Sequence, residues 1–306
     1  MAAEILLPEV QKMRAAELKQ KLGSTGYIAN DQIAYAACGT INERIPLLIE
    51  GDPGCGKTAL SEAVAKALDL PLIRVQMYSS QSTDKILYDY NYQKQLLSIE
   101  AIRSTLDKSL KGKTPQEALE AIRDIDFYGD QFLIRRPVLQ ALTSSTPAVL
   151  LIDEADKCSE ELEYALLEVL DTFSMTIPEY GTVTCKEENR PLIFLTSNRY
   201  RDLSDALKRR CNYLYIEQKT SDEIAEILQA RIQISRKAAE SIASCLAKIQ
   251  EMNLRQVPSI SEGIAWASYL ISHPDVQPAD TAFMLAKTRD DIVPITNALK
   301  RTDRVE

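Results

Sequence analysis

The stretch LLIE-GDPGCGKT-ALSEAVAKAL, residues 47–68, decides the fold of this chain. Residues 47–50 form a short apolar run, which is typical of a buried parallel strand. Residues 51–58 match the pattern G-x-x-x-x-G-K-[ST], and residues 59–68 are amphipathic and rich in strong helix formers. The glycines let backbone N–H groups curl around a phosphate, and the helix adds the positive end of its dipole. The stretch therefore predicts a phosphate-binding loop between a strand and a helix.

Two side chains of this loop have chemistry of their own. Lys57 is expected to reach the β- and γ-phosphates of a nucleotide, and the Thr58 hydroxyl is expected to bind Mg²⁺. The alternative is an accidental glycine-rich turn, which the preceding strand and the following helix disfavour. The residues that we expect to contact the nucleotide are Gly51, Asp52, Pro53, Gly54, Cys55, Gly56, Lys57, Thr58 and Ala59.

Four further apolar runs predict the rest of a sheet. They are LIRVQ (72–76), AVLLID (148–153), PLIFLTSN (191–198) and YLYIE (213–217). Because these runs alternate with helical segments, the sequence predicts an α/β fold with a parallel sheet.

The long segment between the second and third strands reads as an insertion on the core, at about residues 77–130. Residues 77–98 are Tyr-rich and predicted to be irregular, and 99–111 carry apolar residues at helical spacing. Thr114–Glu117 is a capping box that predicts a second helix. The tyrosines can either grip a partner chain or pack the insertion onto the core, and the sequence does not separate these two readings.

The C-terminal part is predicted to be helical. Thr220–Glu223 is a second capping box, and the apolar spacing after it is that of helices, with no convincing strand. We therefore expect residues 1–218 to form the α/β core and residues 219–306 to form an all-α lid domain.

Carboxylates end the third predicted strand. Asp153 and Glu154 follow a buried apolar run, at the sheet edge where α/β proteins bind ligands. Asp153 is expected to hold Mg²⁺, and Glu154 to polarise the water that attacks the γ-phosphate. Asp156, two residues on, is interpreted as a helix N-cap in preference to a ligand.

Polar and basic residues follow the fourth predicted strand. Asn198 can direct its amide at the attacking water or the γ-phosphate, although a turn is the alternative. Arg209 and Arg210 can neutralise charge on a transferring phosphoryl group, including that of a neighbouring subunit. The alternative is a basic helix C-terminus, favoured by the helix dipole. Arg210 is ranked slightly ahead of Arg209.

These motifs, in this order, resemble those of AAA+ ATPases, and within them the CoxD-like branch of the MoxR group. The segments that carry the resemblance are EGDPGCGKT (50–58), LYDYNYQKQLL (87–97), FLIRRPVLQAL (132–142), LLEVLDTFSMTIPEYGT (166–182), LTSNRYRDLSDALKRRC (195–211) and LRQVPSISEGIAW (254–266). The resemblance implies a P-loop αβα core, ATP and Mg²⁺ as cofactors, and a ring, usually hexameric, with ATP sites between subunits. It further implies a partner with a von Willebrand factor A domain and chaperone-like maturation of other proteins, sometimes with cofactor or metal insertion.

The resemblance also assigns residues. Lys57 and Thr58 match the phosphate-loop positions, and Asp153 and Glu154 match the Mg²⁺-binding and water-activating acids. Asn198 matches the first sensor, and Arg210 the arginine that acts in trans.

Two further segments resemble features of this family, and one position in the lid differs from its pattern. Residues 77–98 resemble an insert in the second helix, and Ser174–Arg190 resemble a β-hairpin whose turn is expected at 179–182. Both hairpins face the axial side of the ring in this family. Many lids place an arginine early in their third helix, whereas Glu262 stands near that point and reads as a capping box with Ser259. Arg255 is the substitute that the sequence offers.

Composition narrows the remaining alternatives. The net charge is −8, from 36 basic and 44 acidic residues, which argues against a binder of duplex nucleic acid. Six scattered cysteines and the single histidine, His273, predict reduced thiols without a zinc site. We find neither a signal-peptide core nor a membrane-length apolar run, so a cytoplasmic protein without membrane contact is expected. The alternatives to a chaperone-like ATPase are a nucleic-acid-directed AAA+ motor or loader and a non-hydrolysing, nucleotide-gated scaffold.

Overall fold

A parallel sheet forms the centre of the structure, a computed structural model that describes residues 12–79, 81–110, 114 and 126–300. Its strands are β1 (Leu47–Gly51), β2 (Leu72–Gln76), β5 (Val149–Asp153), β8 (Leu192–Ser197) and β9 (Asn212–Ile216). All pairings in it are parallel, and the spatial order is β2-β5-β8-β1-β9. The α/β prediction is confirmed, and each predicted strand lies within one residue of the observed one.

Both faces of this sheet are buried, which explains why its central strands are continuous apolar runs. Leu48 and Leu150 point to a core on one side, and Leu47 and Leu151 to a core on the other. The edge strand β2 is partly exposed, whereas every residue of β5 and β8 is buried.

Helices cover the two faces. The helices are α1 (Ala15–Ser24), α2 (Asp31–Glu43), α3 (Lys57–Ala67), α4 (Tyr92–Leu110), α5 (Pro137–Leu142), α6 (Glu160–Thr172), α7 (Asp205–Lys208), α8 (Ser221–Ile232), α9 (Arg236–Gln250), α10 (Ile260–Ser272) and α11 (Arg289–Leu299). Short 3₁₀ turns occur at Thr83–Lys85, Ala155–Lys157, Glu187–Asn189 and Pro278–Met284. Helices α1 to α3 contribute to one core, and α5 and α6 to the other.

The insertion is more regular than the sequence suggested. β3 (Tyr88–Tyr90) pairs antiparallel with β4 (Leu133–Arg135), and α4 begins at Tyr92, so the expectation of an irregular 77–98 was wrong over its second half. The early start has a local cause, because the Asn91 side chain accepts a hydrogen bond from the Lys94 N–H at 2.9 Å. The predicted capping box at 114–117 lies outside the described residues, apart from Thr114 itself.

The hairpin before β8 is present, with its turn earlier than expected. β6 (Ser174–Ile177) pairs antiparallel with β7 (Gly181–Thr184), and Ile177 is opposite Gly181. The turn is therefore 178–180, with Glu179 in the left-handed region at φ 65°. Residues 181 and 182, which the sequence placed in the turn, belong to the second strand.

Tyrosines join the β6–β7 hairpin to the insertion. The Tyr90 hydroxyl donates to the Pro178 carbonyl at 2.9 Å, and the Tyr180 hydroxyl donates to the Asp130 carboxylate at 3.1 Å. Tyr90 is buried and packs edge-on against Tyr128, whereas Tyr92 is exposed. The insertion tyrosines therefore divide between packing and exposure.

A third core is built by helices α8 to α11. It contains the fully buried Trp266, whose indole N–H donates to the Thr281 hydroxyl at 2.8 Å. Residues 218–300 are all described, and their regular elements are helices. Among the described helices, none combines the length and apolar character needed to cross a bilayer.

Candidate functional site

A cleft of about 360 Å³ lies at the carboxyl ends of β1, β5 and β8, between the 51–58 loop and the start of α10. It brings together most of the residues that the sequence singled out. The cleft is lined by Pro53, Gly54, Gly56, Lys57, Thr58, Ala59, Arg74, Gln76, Asp153, Glu154, Thr196, Asn198, Ser259 and Ser261. Of the predicted loop residues, Gly51, Asp52 and Cys55 are not part of this lining.

The start of α3 is open toward the cleft. Gly56 occupies the N-cap in the left-handed region (φ 102°) and provides no side-chain cap for the first N–H groups. Lys57 follows, and its Nζ donates to the carbonyls of Gly51 and Asp52, both at 2.8 Å. Burial lowers the pKa of Lys57. An uncapped helix N-terminus beside a buried ammonium group is the arrangement that binds a phosphate.

The start of α10 closes the other side of the cleft. Gly54 has φ +81°, and a Cβ there would lie 2.4 Å from the Ser259 Cβ, so only glycine allows this approach. The capping box of Ser259 and Glu262 is present as predicted. Arg255 does not reach the cleft, because its guanidinium pairs with Asp290 at 2.8 Å.

Asp153 is the most buried carboxylate of the cleft lining. Its Oδ1 accepts hydrogen bonds from the hydroxyls of Thr58, at 3.0 Å, and Thr196. Its Oδ2 accepts from the Arg74 guanidinium. A hydroxyl and a carboxylate in contact are oxygen ligands of the kind that Mg²⁺ prefers, so the residues present fit a Mg²⁺–nucleotide complex.

Both oxygens of Glu154 hold hydrogen-bond donors. Oε1 accepts from the Asn198 amide at 3.2 Å, and Oε2 accepts from the Gln76 amide at 2.6 Å and the Lys157 ammonium at 2.9 Å. The residue itself stands in the left-handed region (φ 56°), at the point where β5 turns into a 3₁₀ segment. This turn directs the side chain across the ends of the neighbouring strands.

Sequence reasoning missed Arg74, Gln76 and Lys157. Arg74 and Gln76 are on β2, and Gln76 is in register with Asp153. The available signal was the presence of two polar residues, Arg74 and Gln76, in a strand that otherwise reads as apolar.

Asp156 does not cap a helix, so that interpretation was wrong. It lies inside the 3₁₀ turn, and its Oδ2 accepts the backbone N–H groups of Asn198 at 3.0 Å and Tyr200 at 2.7 Å. The N-cap of α6 is Ser159, whose hydroxyl accepts from the Leu162 N–H. Asp156 is completely buried, which an N-cap on a surface helix would not require.

The two arginines after α7 lie apart from this chain's own cleft lining. Arg210 donates to the Ala206 carbonyl at 2.8 Å and pairs with Asp171 at 3.3 Å. Arg209 is exposed. The structure thus separates these arginines from Lys57 and Glu154 within one chain.

Comparisons with known proteins agree with this geometry. Residues 46–211 match the AAA domain (dynein-related subfamily), and this match spans just over half of the 306 residues. A comparison with curated proteins found no match. The matched range runs from the residue before β1 to the residue before β9, and so includes the phosphate loop, both acids and Asn198. The chain belongs to the AAA domain family of the dynein-related subfamily, whose members are generally ATPases with a P-loop nucleotide-binding fold.

Proposed function

We propose that the chain hydrolyses ATP with Mg²⁺ in this cleft, as a MoxR-type AAA+ protein of the CoxD-like branch. The observation that carries the proposal is the convergence of Lys57, Asp153, Glu154 and Asn198 on one cleft from separate elements of the sheet edge. A phosphate-binding cation, a buried carboxylate for the metal, a second carboxylate and an amide are the groups that phosphoryl transfer to water requires.

Each of these groups has a physical task. The open start of α3 and the Lys57 ammonium would bind the phosphates. The Thr58 and Asp153 oxygens would hold Mg²⁺, which would neutralise phosphate charge when bound. Glu154 accepts the proton of the attacking water. Its Oε2 accepts from both Gln76 and Lys157, whereas among the described residues its Oε1 accepts only from Asn198, so Oε1 has a further lone pair for the proton of a water. Asn198 orients the carboxylate or the water.

Assembly completes the site in this proposal. Arg209 and Arg210 follow α7 outside their own cleft lining, so they can act on the nucleotide of a neighbouring copy in a homo-oligomeric, hexameric ring. Arg209 is exposed while Arg210 is held by Asp171. Each arginine therefore needs its own alanine variant, mixed with Lys57→Ala subunits. Recovery of phosphate release in one mixture identifies the arginine that acts in trans.

The partner-directed part of the proposal rests on the resemblance. ATP turnover would remodel or mature a client protein, together with a partner that has a von Willebrand factor A domain, and would involve no nucleic acid. Residues 219–306 would act as the lid of the ring subunit. Stimulation of phosphate release by such a partner, without stimulation by single- or double-stranded DNA at low salt, is the expected result.

Glu154→Gln tests the hydrolytic assignment. The variant keeps the shape of the side chain but loses the base, so we expect hydrolysis to slow by at least about tenfold while ATP binding persists. Phosphate release and ATP calorimetry are the measurements. Glu161→Gln is the matched control, since Glu161 is an exposed glutamate in the first turn of α6 and should keep full activity. Normal turnover by Glu154→Gln would contradict the assignment.

A further inference from the structure

The Asp156 carboxylate lies beneath the loop that follows β8. Its Oδ2 accepts two backbone N–H groups, from Asn198 at 3.0 Å and from Tyr200 at 2.7 Å, and the residue is 0% exposed. Charge-assisted hydrogen bonds of this kind are about twice as strong as neutral ones. One buried carboxylate therefore fixes the backbone on both sides of Arg199.

The loop that it fixes is in an unfavourable conformation. Arg199 has φ 61°, in the left-handed region, which is disfavoured for a side chain of this size. The Arg199 guanidinium donates to the Asp52 carboxylate at 3.2 Å and lies over the Tyr215 ring at 5.2 Å. Such a turn persists only when its surroundings over-determine it, and the Asp156 bonds contribute to that.

This turn is connected to Glu154 through the side chain of Asn198. Asn198 stands directly before the strained residue, and its amide donates to Glu154 Oε1 at 3.2 Å. Without the hydrogen bond from its backbone N–H to Asp156, the backbone of Asn198 would no longer be fixed. The Asn198 side chain would then lose its contact with Glu154. Asp156 itself is buried and is not part of the cleft lining, so it can act on the cleft only through other residues.

The second carboxylate oxygen of Asp156 makes no hydrogen bond to the described part of the chain. Among the described residues, Asp156 Oδ1 is buried without a hydrogen-bond partner. A buried carboxylate oxygen without a partner is costly to the fold, so the two N–H bonds to Oδ2 are the bonds that hold this carboxylate in place.

We propose that Asp156 is a positioning residue for the hydrolysis proposed above, acting through the backbone of Asn198 to hold the Asn198 amide on Glu154. This inference rests on the proposed function. Its alternative is that Asp156 acts through Lys57, whose ammonium lies within the electrostatic influence of the same carboxylate. The two routes differ in what they change, because Asn198 affects turnover and Lys57 affects nucleotide affinity.

The test is a double-mutant cycle of Asp156→Ala and Asn198→Ala, read by phosphate release at saturating ATP and by ATP calorimetry. We expect Asp156→Ala to lower kcat by about tenfold, a typical coupling between residues in contact. In the Asn198→Ala background, the second substitution should have no further effect. ATP affinity should stay within about twofold of the wild type, because Lys57 and the rest of the 51–58 loop are not substituted.

A conservative variant and an amide readout separate positioning from general damage. Asp156→Asn keeps a carbonyl oxygen that can accept both N–H groups, so it should retain most of the turnover. Hydrogen exchange at the Asn198 and Tyr200 amides should be slow in the wild type and in Asp156→Asn, and fast in Asp156→Ala. If Asp156→Ala does not fold, the cycle is run with Asp156→Asn, whose smaller loss should likewise vanish beside Asn198→Ala.

Three results overturn the inference. Penalties that multiply in the double variant would show that Asp156 acts independently of Asn198. A loss of ATP affinity with normal kcat would assign its effect to Lys57. Unchanged turnover in folded Asp156→Ala would remove the effect altogether. If the wild-type protein itself releases no phosphate, the proposed function is refuted. If Glu154→Gln slows hydrolysis but the penalties of Asp156→Ala and Asn198→Ala multiply, the proposed function stands and only this inference is refuted.

Discussion

Helices α3 and α10 both begin at the cleft, but they satisfy their first N–H groups in opposite ways. α3 has Gly56 at its N-cap and no capping side chain, and the buried Lys57 follows. α10 has the complete capping box of Ser259 and Glu262. A helix N-terminus with free N–H groups and a neighbouring cation favours an anionic ligand. A helix N-terminus whose N–H groups are capped by its own side chains stabilises the fold instead. In the proposed function, the start of α3 therefore serves binding, while the start of α10 serves stability.

Lys57→Ala should have the largest effect, because it removes the cation from the open end. The loss of charge-assisted bonds to phosphate should weaken ATP binding by at least about a hundredfold. Calorimetry with ATP and Mg²⁺ is the measurement. Lys66→Ala, at the exposed C-terminal end of the same helix, is the control and should bind normally. Unchanged affinity in Lys57→Ala would mean that the open end is not a phosphate site.

Gly54→Ala probes the point where the two ends touch. The new Cβ would meet Ser259 at 2.4 Å with φ at +81°, so either the loop or α10 must move. Strain of about 1–3 kcal/mol at this contact should weaken ATP binding by about tenfold. In the control Gly23→Ala, the added Cβ meets nothing within 4 Å. Equal ATP affinity of Gly54→Ala and the wild type would show that the contact does not shape the binding site.

Ser259→Ala should affect stability and leave binding almost unchanged. Loss of the N-cap is expected to cost about 1 kcal/mol of the free energy of unfolding. Thr220→Ala removes the equivalent residue from the capping box of α8, outside the cleft lining, and should cost a similar amount. Denaturant unfolding and ATP calorimetry compare the two. A fall in ATP affinity of tenfold or more in Ser259→Ala alone would show that the start of α10 also binds the ligand.

The smallest expected effect is the acid dependence of the α10 cap. Burial alone would raise the pKa of Glu262, but hydrogen bonds from Lys287 and the Ser259 N–H hold that pKa below its usual range. The folded pKa is lower than the unfolded one, so the contribution is fully present above about pH 4.3 and fades as the pH falls through the folded pKa. The melting temperature of Glu262→Gln should therefore approach that of the wild type in acid. A gap that stays constant from pH 6 to pH 3 would contradict this linkage.

How much could be predicted depended on whether the information was local. The strands β1, β5 and β8 were predicted because they are buried on both faces and therefore read as apolar runs. The placement of the 51–58 loop, Asp153 and Glu154 at one edge of the sheet was predicted because each motif is contained in one short segment. The short strand β3 and the start of α4 were missed, since three residues give no period and the capping signal of Asn91 is a single side chain.

The contact between Gln76 and Glu154 could not be predicted, because it depends on strand order. Gln76 meets Glu154 only since β2 is the neighbour of β5 with Gln76 opposite Asp153. The error on Asp156 has a similar origin. Aspartate before a helix is a good N-cap by propensity, and nothing in the local sequence shows that its carboxylate reaches across to the loop after β8.

The tyrosine hydrogen bonds between the β6–β7 hairpin and the insertion restrict how the two can move. Because Tyr90 is bonded to Pro178 and Tyr180 to Asp130, the β6–β7 hairpin cannot move away from the insertion without breaking both hydrogen bonds. The base of the β6–β7 hairpin is anchored to α6, where the Glu168 carboxylate accepts bonds from Ser174 and from the Thr176 N–H. The β6–β7 hairpin is thus bonded to the insertion on one side and to α6 on the other, so it cannot be displaced without breaking hydrogen bonds to one of them.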